Sequence, residues 1–486
     1  MQATITTATL HGVEAVPVEV QADVSSGLPV FGIVGLPDAA VQEARDRVRA
    51  ALRTAGYEFP NARVIVNLAP APLRKHGTGF DLPIALAVLC ATGQIPAATF
   101  ADLSAVGELG LDATVRDVPG MLAHAISAAS RGRELLGPAG SEDVVSVVPG
   151  LGFRALADLG SLRAGLPDAL TLERGGPCGP QPLSVRLEDI AGHETAKRCL
   201  EVAAAGGHHL LMTGPPGSGK TMLARALAGL LPPLQDKERL ESALIHSVAG
   251  VDPRAIIEGA RPFRAPHHSC TVAGLVGGGT PPRPGEISLA HNGVLFLDEI
   301  AEFAPAALQA LRQPIEEGLV TLVRANGAIR YPARVTLAAA MNPCPCGYAG
   351  DPERVCRCSE GAVSRYLGRI GGPMYDRIDI SMRVDRIDPS LLLEHGAKRP
   401  STDDVRERVV RARAFAASRP PGDLRGSLTR EARAYLASAA RASCLSGRAV
   451  TRVLRVARTL ADLEACDDIG SGHLSEALAY RCWEQS

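Results

Sequence analysis

Aromatic residues are scarce in this chain (3%, with a single Trp), net charge is nearly absent (51 Lys and Arg against 52 Asp and Glu), and no apolar run is long enough to cross a bilayer. Each scarcity excludes something. Without such a run, a membrane-spanning helix is not expected. Met1 to Thr7 alternates like a strand and lacks the charged and apolar regions of a secretion signal, so the expectation is a cytoplasmic protein. Without an excess of basic charge no global field announces a nucleic-acid partner, and any such site must be local or assembled by oligomerisation. Lysine is also rare beside arginine, and alanine is abundant. That pattern reads as GC-rich coding bias and discounts Arg-rich stretches as binding evidence.

What is present is a core-forming chain of 486 residues, 46% hydrophobic, enough for two or three domains. Its 11 cysteines are an odd number without a secretory context, which argues against a disulfide framework. Cys90, Cys178, Cys199, Cys270, Cys444, Cys466 and Cys482 are scattered and read as small buried apolar residues.

The decisive stretch is Gly214-Pro215-Pro216-Gly217-Ser218-Gly219-Lys220-Thr221. It stands between the apolar run His209 to Met212 and the amphipathic run Met222 to Ala228, which spells strand, phosphate loop, helix. Backbone N–H groups freed by the glycines turn toward phosphate oxygens, the helix N-terminus adds partial positive charge, Lys220 reaches the terminal phosphates and the Thr221 hydroxyl can hold Mg²⁺. ATP binding and hydrolysis are therefore expected.

Composition and periodicity divide the chain. Residues 1–165 mix strand-like segments (Val16 to Val24, Ala62 to Asn67) with helical ones (Ala39 to Ala55, Leu82 to Ala91) and read as an α/β domain. A Pro- and Gly-dense linker is expected over 166–186. Residues 187–385 alternate strand and helix around the phosphate loop, as a mostly parallel sheet covered on both faces requires. Residues 386–486 read as a helical lid.

A second apolar strand, Gly293 to Leu297, delivers Asp298 and Glu299 to the edge of that sheet where ligands bind. Asp298 would hold Mg²⁺ through water and Glu299 would polarise the attacking water; capping of the next helix is the alternative. A third, Arg334 to Met341, ends in Asn342, a candidate γ-phosphate sensor. This order, closed by a helical lid, resembles AAA+ ATPases, and the resemblance implies a ring, usually a homo-hexamer, with nucleotide at subunit boundaries. Such rings need an arginine from the neighbour. The segment Gly372 to Asp379 resembles that of the MCM and magnesium-chelatase branch, which puts Arg377 in the finger role, with an ion pair to Asp376 or Asp379 as the alternative. Ser446 to Arg455 resembles the second-sensor helix of that branch, with Arg448 favoured and Arg452 next.

Several segments together resemble the magnesium-chelatase-like ATPases of the ComM/YifB type: Gly27-Leu28-Pro29 to Gly35-Leu36-Pro37, Phe263 to His268, Pro284 to His291, and Asn342-Pro343-Cys344-Pro345-Cys346-Gly347. The resemblance spans nearly the whole chain. It implies a fold of three parts, an N-terminal domain similar to Lon protease and S5, an AAA+ core and a helical C-terminal domain, in a DNA motor of branch migration. On the Lon pattern Gly79 stands where the Ser nucleophile would be and Leu122 falls near the Lys base, so the domain is expected to bind or to organise the ring.

Two insertions bear on what such a motor would pull. Gly318 to Tyr331 carries alternating runs around Asn326-Gly327, a hairpin signal. In the resembled branch it projects into the pore, where Arg324 and Asn326 would meet a DNA backbone; an ordinary solvated hairpin is the alternative. The Gly- and Pro-rich loop Arg264 to Gly285 is long for an idle connection and is a candidate second pore element. Its His267, His268 and Cys270 read as polar loop residues or as metal ligands. Cys344, Cys346, Cys356 and Cys358 form two C-x-C pairs, which read as a Zn²⁺ site, as reduced structural thiols or as redox groups. Three functions stay open at this point: a DNA-translocating ring ATPase, the ATPase subunit of a metal chelatase, and a remodeller of proteins.

Overall fold

The computed structural model describes residues 1–171, 185–324, 327–388, 390, 400–420, 424 and 426–481. In the first third, β1 (Gln2–His11) and β2 (Glu14–Ser25) alternate buried and exposed side chains and pair antiparallel, Gln2 opposite Asp23 and His11 opposite Glu14. β3 (Val30–Val34), β4 (Arg63–Ala69) and β5 (Leu103–Ala105) join them, while β6 (Glu108–Leu109) and β7 (Val115–Arg116) form a separate ribbon. With β8 (Glu134–Pro138), β9 (Gly152–Leu156) and β10 (Leu170–Thr171) they complete an eight-stranded mixed sheet in the order β10-β9-β8-β5-β1-β2-β4-β3.

Helix Ala39–Thr54 starts at Asp38, whose carboxylate accepts the Val41 N–H at 2.9 Å, and it buries Val41, Ala44, Val48, Ala51 and Leu52. Helix Asp81–Ala91 is apolar on every side, and all of its residues are buried. Its one charge, Asp81, accepts from Arg47 Nε at 2.6 Å, which offsets only part of the cost of placing a carboxylate there, burial still holding its carboxyl above the usual range. The sheet runs past residue 165, because Leu170 pairs with Phe153 and Arg154 donates to the Pro167 carbonyl at 2.6 Å. Residues 172–184 of the expected linker lie outside the described residues.

The second sheet holds β11 (Leu210–Thr213), β12 (Phe263–Arg264), β15 (Val294–Leu297), β18 (Thr336–Met341) and β19 (Ile380–Arg383), all parallel, in the order β12-β15-β18-β11-β19. β15 and β18 are buried along their entire length, as unbroken apolar runs are when helices cover both faces. Burying each Leu or Val contributes about 1.5–3 kcal/mol. Two small antiparallel ribbons lie off this sheet: β13 (Gly277–Gly278) with β14 (Arg283–Pro284), and β16 (Leu319–Arg324) with β17 (Gly327–Pro332).

Beyond residue 400 the described chain is helical, with Thr402–Ser418, Arg430–Ala442, Gly447–Leu463 and Ser471–Ala479. Ser401, Thr429 and Ser446 cap the first three by accepting backbone N–H groups. Helix Gly447–Leu463 turns the stripe Val453, Leu454, Val456, Ala457 and Leu460 into the core that also holds β11 and β18. Arg408 Nε, 2.6 Å from Glu201, and Arg413 NH2, 2.6 Å from the Ala204 carbonyl, tie this helical part to helix Glu194–Gly206.

The two sheets are joined by backbone as well as side chains. Gly120 N–H donates to the Ser247 carbonyl at 2.7 Å and Leu122 N–H to Ser247 Oγ at 3.2 Å, both on helix Asp236–Ala249. One apolar cluster around this seam takes Val118, Leu122 and Phe153 from one side and Leu234, Ala243 and Ile256 from the other.

Candidate functional site

The phosphate loop leaves the end of β11 and feeds helix Lys220–Leu230, so loop amides face the C-terminal edge of the sheet. Gly214 is fixed by close packing: a Cβ there would stand 2.0 Å from the Val384 carbonyl oxygen. Lys220 Nζ donates to the carbonyls of Gly214 (2.7 Å) and Pro215 (2.9 Å) and reaches Asn342 Oδ1 at 3.4 Å. Burial holds its ammonium below the usual lysine range, against the opposing pull of Asp298 and Glu299. Thr221 Oγ1 donates to Asp298 Oδ2 at 3.1 Å, and the Glu299 N–H donates to Asp298 Oδ1 at 3.0 Å.

The residues fit a magnesium nucleotide. Ser218 Oγ is buried without a hydrogen-bond partner among the described residues, as a loop hydroxyl meant for an external acceptor would be. A hydroxyl and a carboxylate side by side, Thr221 and Asp298, are the hard oxygen donors that Mg²⁺ takes. Glu299 follows at φ 50°, a left-handed turn uncommon for a non-glycine residue, and its carboxylate is about half exposed, with Oε2 3.7 Å from His268 Nδ1.

The four cysteines also converge. Sγ separations are 3.3 Å for Cys344–Cys346 and 3.6 Å for both Cys344–Cys356 and Cys346–Cys356, and Cys358 completes a group within 4.8 Å. Four thiolates at about 2.3 Å from one Zn²⁺ stand about 3.8 Å apart, so the set fits the ion. Ala349 N–H and Cys358 N–H donate to Cys344 Sγ and Cys356 Sγ at 3.3 and 3.4 Å. The N–H groups of Arg357 and Tyr348 draw the Cys346 thiol down to about 6, toward the thiolate.

Comparison with known proteins agrees with this geometry. The family described as "Magnesium chelatase, subunit ChlI" matches residues 186–392, "Subunit ChlI of Mg-chelatase" matches 20–141, and "Magnesium chelatase, subunit ChlI C-terminal" matches 399–481. The uncharacterised protein YifB of Escherichia coli is 43% identical over 483 residues, covering 97% of this chain and 95% of that one. The competence protein ComM of Haemophilus influenzae is 41% identical over 491 residues, 97% of this chain and 95% of that one. The chain belongs to the ComM/YifB family of magnesium-chelatase-like AAA+ proteins. Lon protease 2 of Bacillus subtilis is 32% identical over 157 residues, a partial likeness covering 29% of this chain and 28% of that one.

In this ComM/YifB-family chain the remaining candidates fall into two groups. Arg377 is held within its own subunit by helix Pro305–Glu317: Nε donates to the Arg312 carbonyl at 3.0 Å and NH2 meets Glu316 at 2.5 Å. Its ion pair is thus with Glu316, while Asp376 lies 3.7 Å from Arg448 and 3.8 Å from Arg452. Arg448 is exposed and stands beside the Gly372 to Asp379 segment. Asp379 is buried against His208 Nδ1 (3.4 Å). Burial pushes its carboxyl up, but the His208 hydrogen bond and the His208, His209 and Arg455 charges hold it down at about 2.

The second group lies on the ribbons. Arg324 closes the described part of β16 opposite Gly327, is exposed, and reaches the Gly279 carbonyl at 3.4 Å; Asn326 lies outside the described residues. Tyr331 anchors the hairpin base, buried, with its hydroxyl donating to the Pro282 carbonyl at 3.0 Å. The segment read as a long loop is partly ordered: helix Val272–Val276 precedes β13 and β14, and Arg264 closes its ends onto Glu286 at 2.7 and 2.8 Å. There Cys270 Sγ donates to the Thr271 carbonyl at 3.6 Å, while His268 turns to Glu299.

Three groups escape sequence reading. His268 beside Glu299 is brought in from another strand's end. His193 is packed against the phosphate loop, 3.8 Å from a Cβ built on Gly219. Glu464, Cys466 and His473 form a further cluster with donor atoms within 4.8 Å. None has a local motif; His268 is marked only by its place in a histidine pair.

Proposed function

We propose that the chain is a ring-forming ATPase, a homo-hexamer, that couples ATP hydrolysis to movement on single-stranded or branched DNA, in branch migration or recombination. The loop amides of residues 214–219 and Lys220 bind the phosphates, and Thr221 and Asp298 hold Mg²⁺, which supplies neutralisation of phosphate charge. Glu299 orients and polarises the attacking water, and Asn342 senses the terminal phosphate. Arg377 reaches the neighbouring subunit's nucleotide, and Arg448 acts as the second sensor. Residues 1–171, 187–385 and 386–486 act as ring-organising domain, motor and lid, the linker following the strand that ends at Thr171. The Cys344, Cys346, Cys356 and Cys358 insert holds one structural Zn²⁺.

The observation that carries this reading is the convergence of Lys220, Thr221, Asp298 and Asn342 at one sheet edge. The DNA substrate is supported by the likeness to a competence protein and by exposed Arg324 at the hairpin end. The family descriptions favour a second reading, the motor subunit of a chelatase-type complex. ATPase rate measured with and without branched or single-stranded DNA separates the two. A rate that rises with DNA supports the first; a rate indifferent to DNA, in a ring that does not bind it, moves the assignment to the second.

A further inference from the structure

Cys344 follows Asn342 by two residues, and the fold turns that adjacency into contact between the cysteine insert and the nucleotide site. The chain turns back at Gly347, whose N–H donates to the Cys344 carbonyl at 2.9 Å. Gly347, at φ 86°, lies so close to the phosphate loop that a Cβ there would stand 2.6 Å from Pro216 Cδ. On its other side the insert is clasped by the end of β19. Arg383 donates to the Gly350 carbonyl, and Arg386 Nε meets Asp351 at 2.9 Å. Val384, between those arginines, is the residue against which Gly214 is packed. The insert therefore touches the loop directly at Pro216, borders Gly214 through residues 383–386, and continues from the asparagine that reaches Lys220.

Among the described residues, 344–358 carries no helix or strand. A segment of this kind has too little core to hold one conformation, and four metal–thiolate bonds supply what it lacks. The geometry points to a zinc-dependent brace on the phosphate loop: with the four thiolates closed on Zn²⁺, Gly347 is fixed against Pro216, and the loop's affinity for nucleotide is set by that contact. This rests on the zinc reading of the four cysteines.

The test uses the full-length chain purified without chelator. Zinc is counted by elemental analysis, affinity is read with a fluorescent ATP analogue, and folding is followed by circular dichroism. About one zinc per subunit is expected. Removing it with a chelator should weaken nucleotide binding roughly tenfold, the size of one misplaced hydrogen bond to a charged group, and restoring zinc should recover it. Gly347→Ala removes no thiolate and pushes a methyl group into Pro216, at a φ that also strains any side chain there, so a variant that keeps its zinc should still lose affinity. Cys356→Ser should lose both; if that variant fails to fold, Gly347→Ala decides. Unchanged affinity in a folded, zinc-stripped chain, or in zinc-loaded Gly347→Ala, would overturn the brace while leaving the zinc site standing. A native protein without zinc would overturn the zinc site and the brace with it.

Discussion

At the scale of single residues, the site separates binding from turnover. On the proposed roles, Lys220 supplies charge to the phosphates, so Lys220→Ala should abolish nucleotide binding. If Glu299 acts only on the attacking water, Glu299→Gln should bind ATP like the parent and hydrolyse it roughly 10²–10⁴-fold more slowly. Equilibrium binding and single-turnover hydrolysis check both; parental turnover in Glu299→Gln would remove that residue from its role. The phosphate loop, the Asp298-Glu299 pair and Asn342 are legible in sequence because each is a contiguous signature ending an apolar run. The partners of Glu299 and Asp379 are not. His268 and His208 reach them across long sequence separations, and such pairing is decided by sheet order rather than by local pattern.

Buried histidines make a second prediction at this scale. Burial holds His124 and His209 at about 4, well below the usual 6.5. An unfolded chain takes up protons on both as pH falls through 6.5, whereas the folded chain does so only near 4. Stability is therefore lost with acidification inside that window, by at most about 3 kcal/mol for each histidine. Asp379, held at about 2, contributes stability present above its usual 3.8 and lost only as pH falls toward 2, so it does not offset this loss. Thermal unfolding should show a falling Tm between about pH 7 and about pH 5. His124→Leu should flatten that dependence; an unchanged pH slope would count against this assignment.

At the scale of elements, the β16–β17 hairpin stands on a buried base, Val320 and Tyr331, with Val323 and Arg324 exposed toward its end. That polarity is visible in sequence as two alternating runs around a turn, but the ribbon beside it is not. Gly277 to Pro284 has no periodicity, and the Tyr331 hydroxyl and Arg324 meet carbonyls of its turn, those of Pro282 and Gly279. If the hairpin meets a phosphate backbone, Arg324→Ala should weaken binding to DNA of any sequence and reduce the salt slope by about 1 for each phosphate left without its arginine. Basal ATPase should survive and DNA stimulation should fall. Equal affinity, salt slope and stimulated rate in variant and parent would exclude this arginine from the DNA interface.

At the scale of the whole molecule, the finger role proposed for Arg377 is one that only an assembly can test. In its own subunit it binds Glu316 and two backbone carbonyls, so the single chain accounts for its position but not for a catalytic use. A finger acting on the neighbour predicts that Arg377→Ala binds ATP normally yet hydrolyses it about 10³–10⁵-fold more slowly. Mixed rings of Arg377→Ala and Lys220→Ala subunits should regain activity wherever an intact loop meets an intact arginine. No recovery in rings shown to be mixed would exclude a trans role. Sequence reveals this residue only through family likeness, since nothing in one chain's pattern reports a neighbour.

The seam between the two sheets also limits what position 122 can hold. Leu122, which on the resemblance to Lon falls near the lysine position, is wholly buried, and its N–H is bonded to Ser247 of the ATPase half. Introducing the Lon-type pair by Gly79→Ser and Leu122→Lys would set an ammonium into an apolar cluster, at a cost of several kcal/mol. The double variant should part the two halves, seen as faster proteolytic nicking between them, rather than cleave peptides. Position 122 is a joint between the halves, so a polar side chain there acts first on how firmly they hold together and only then on anything either half does.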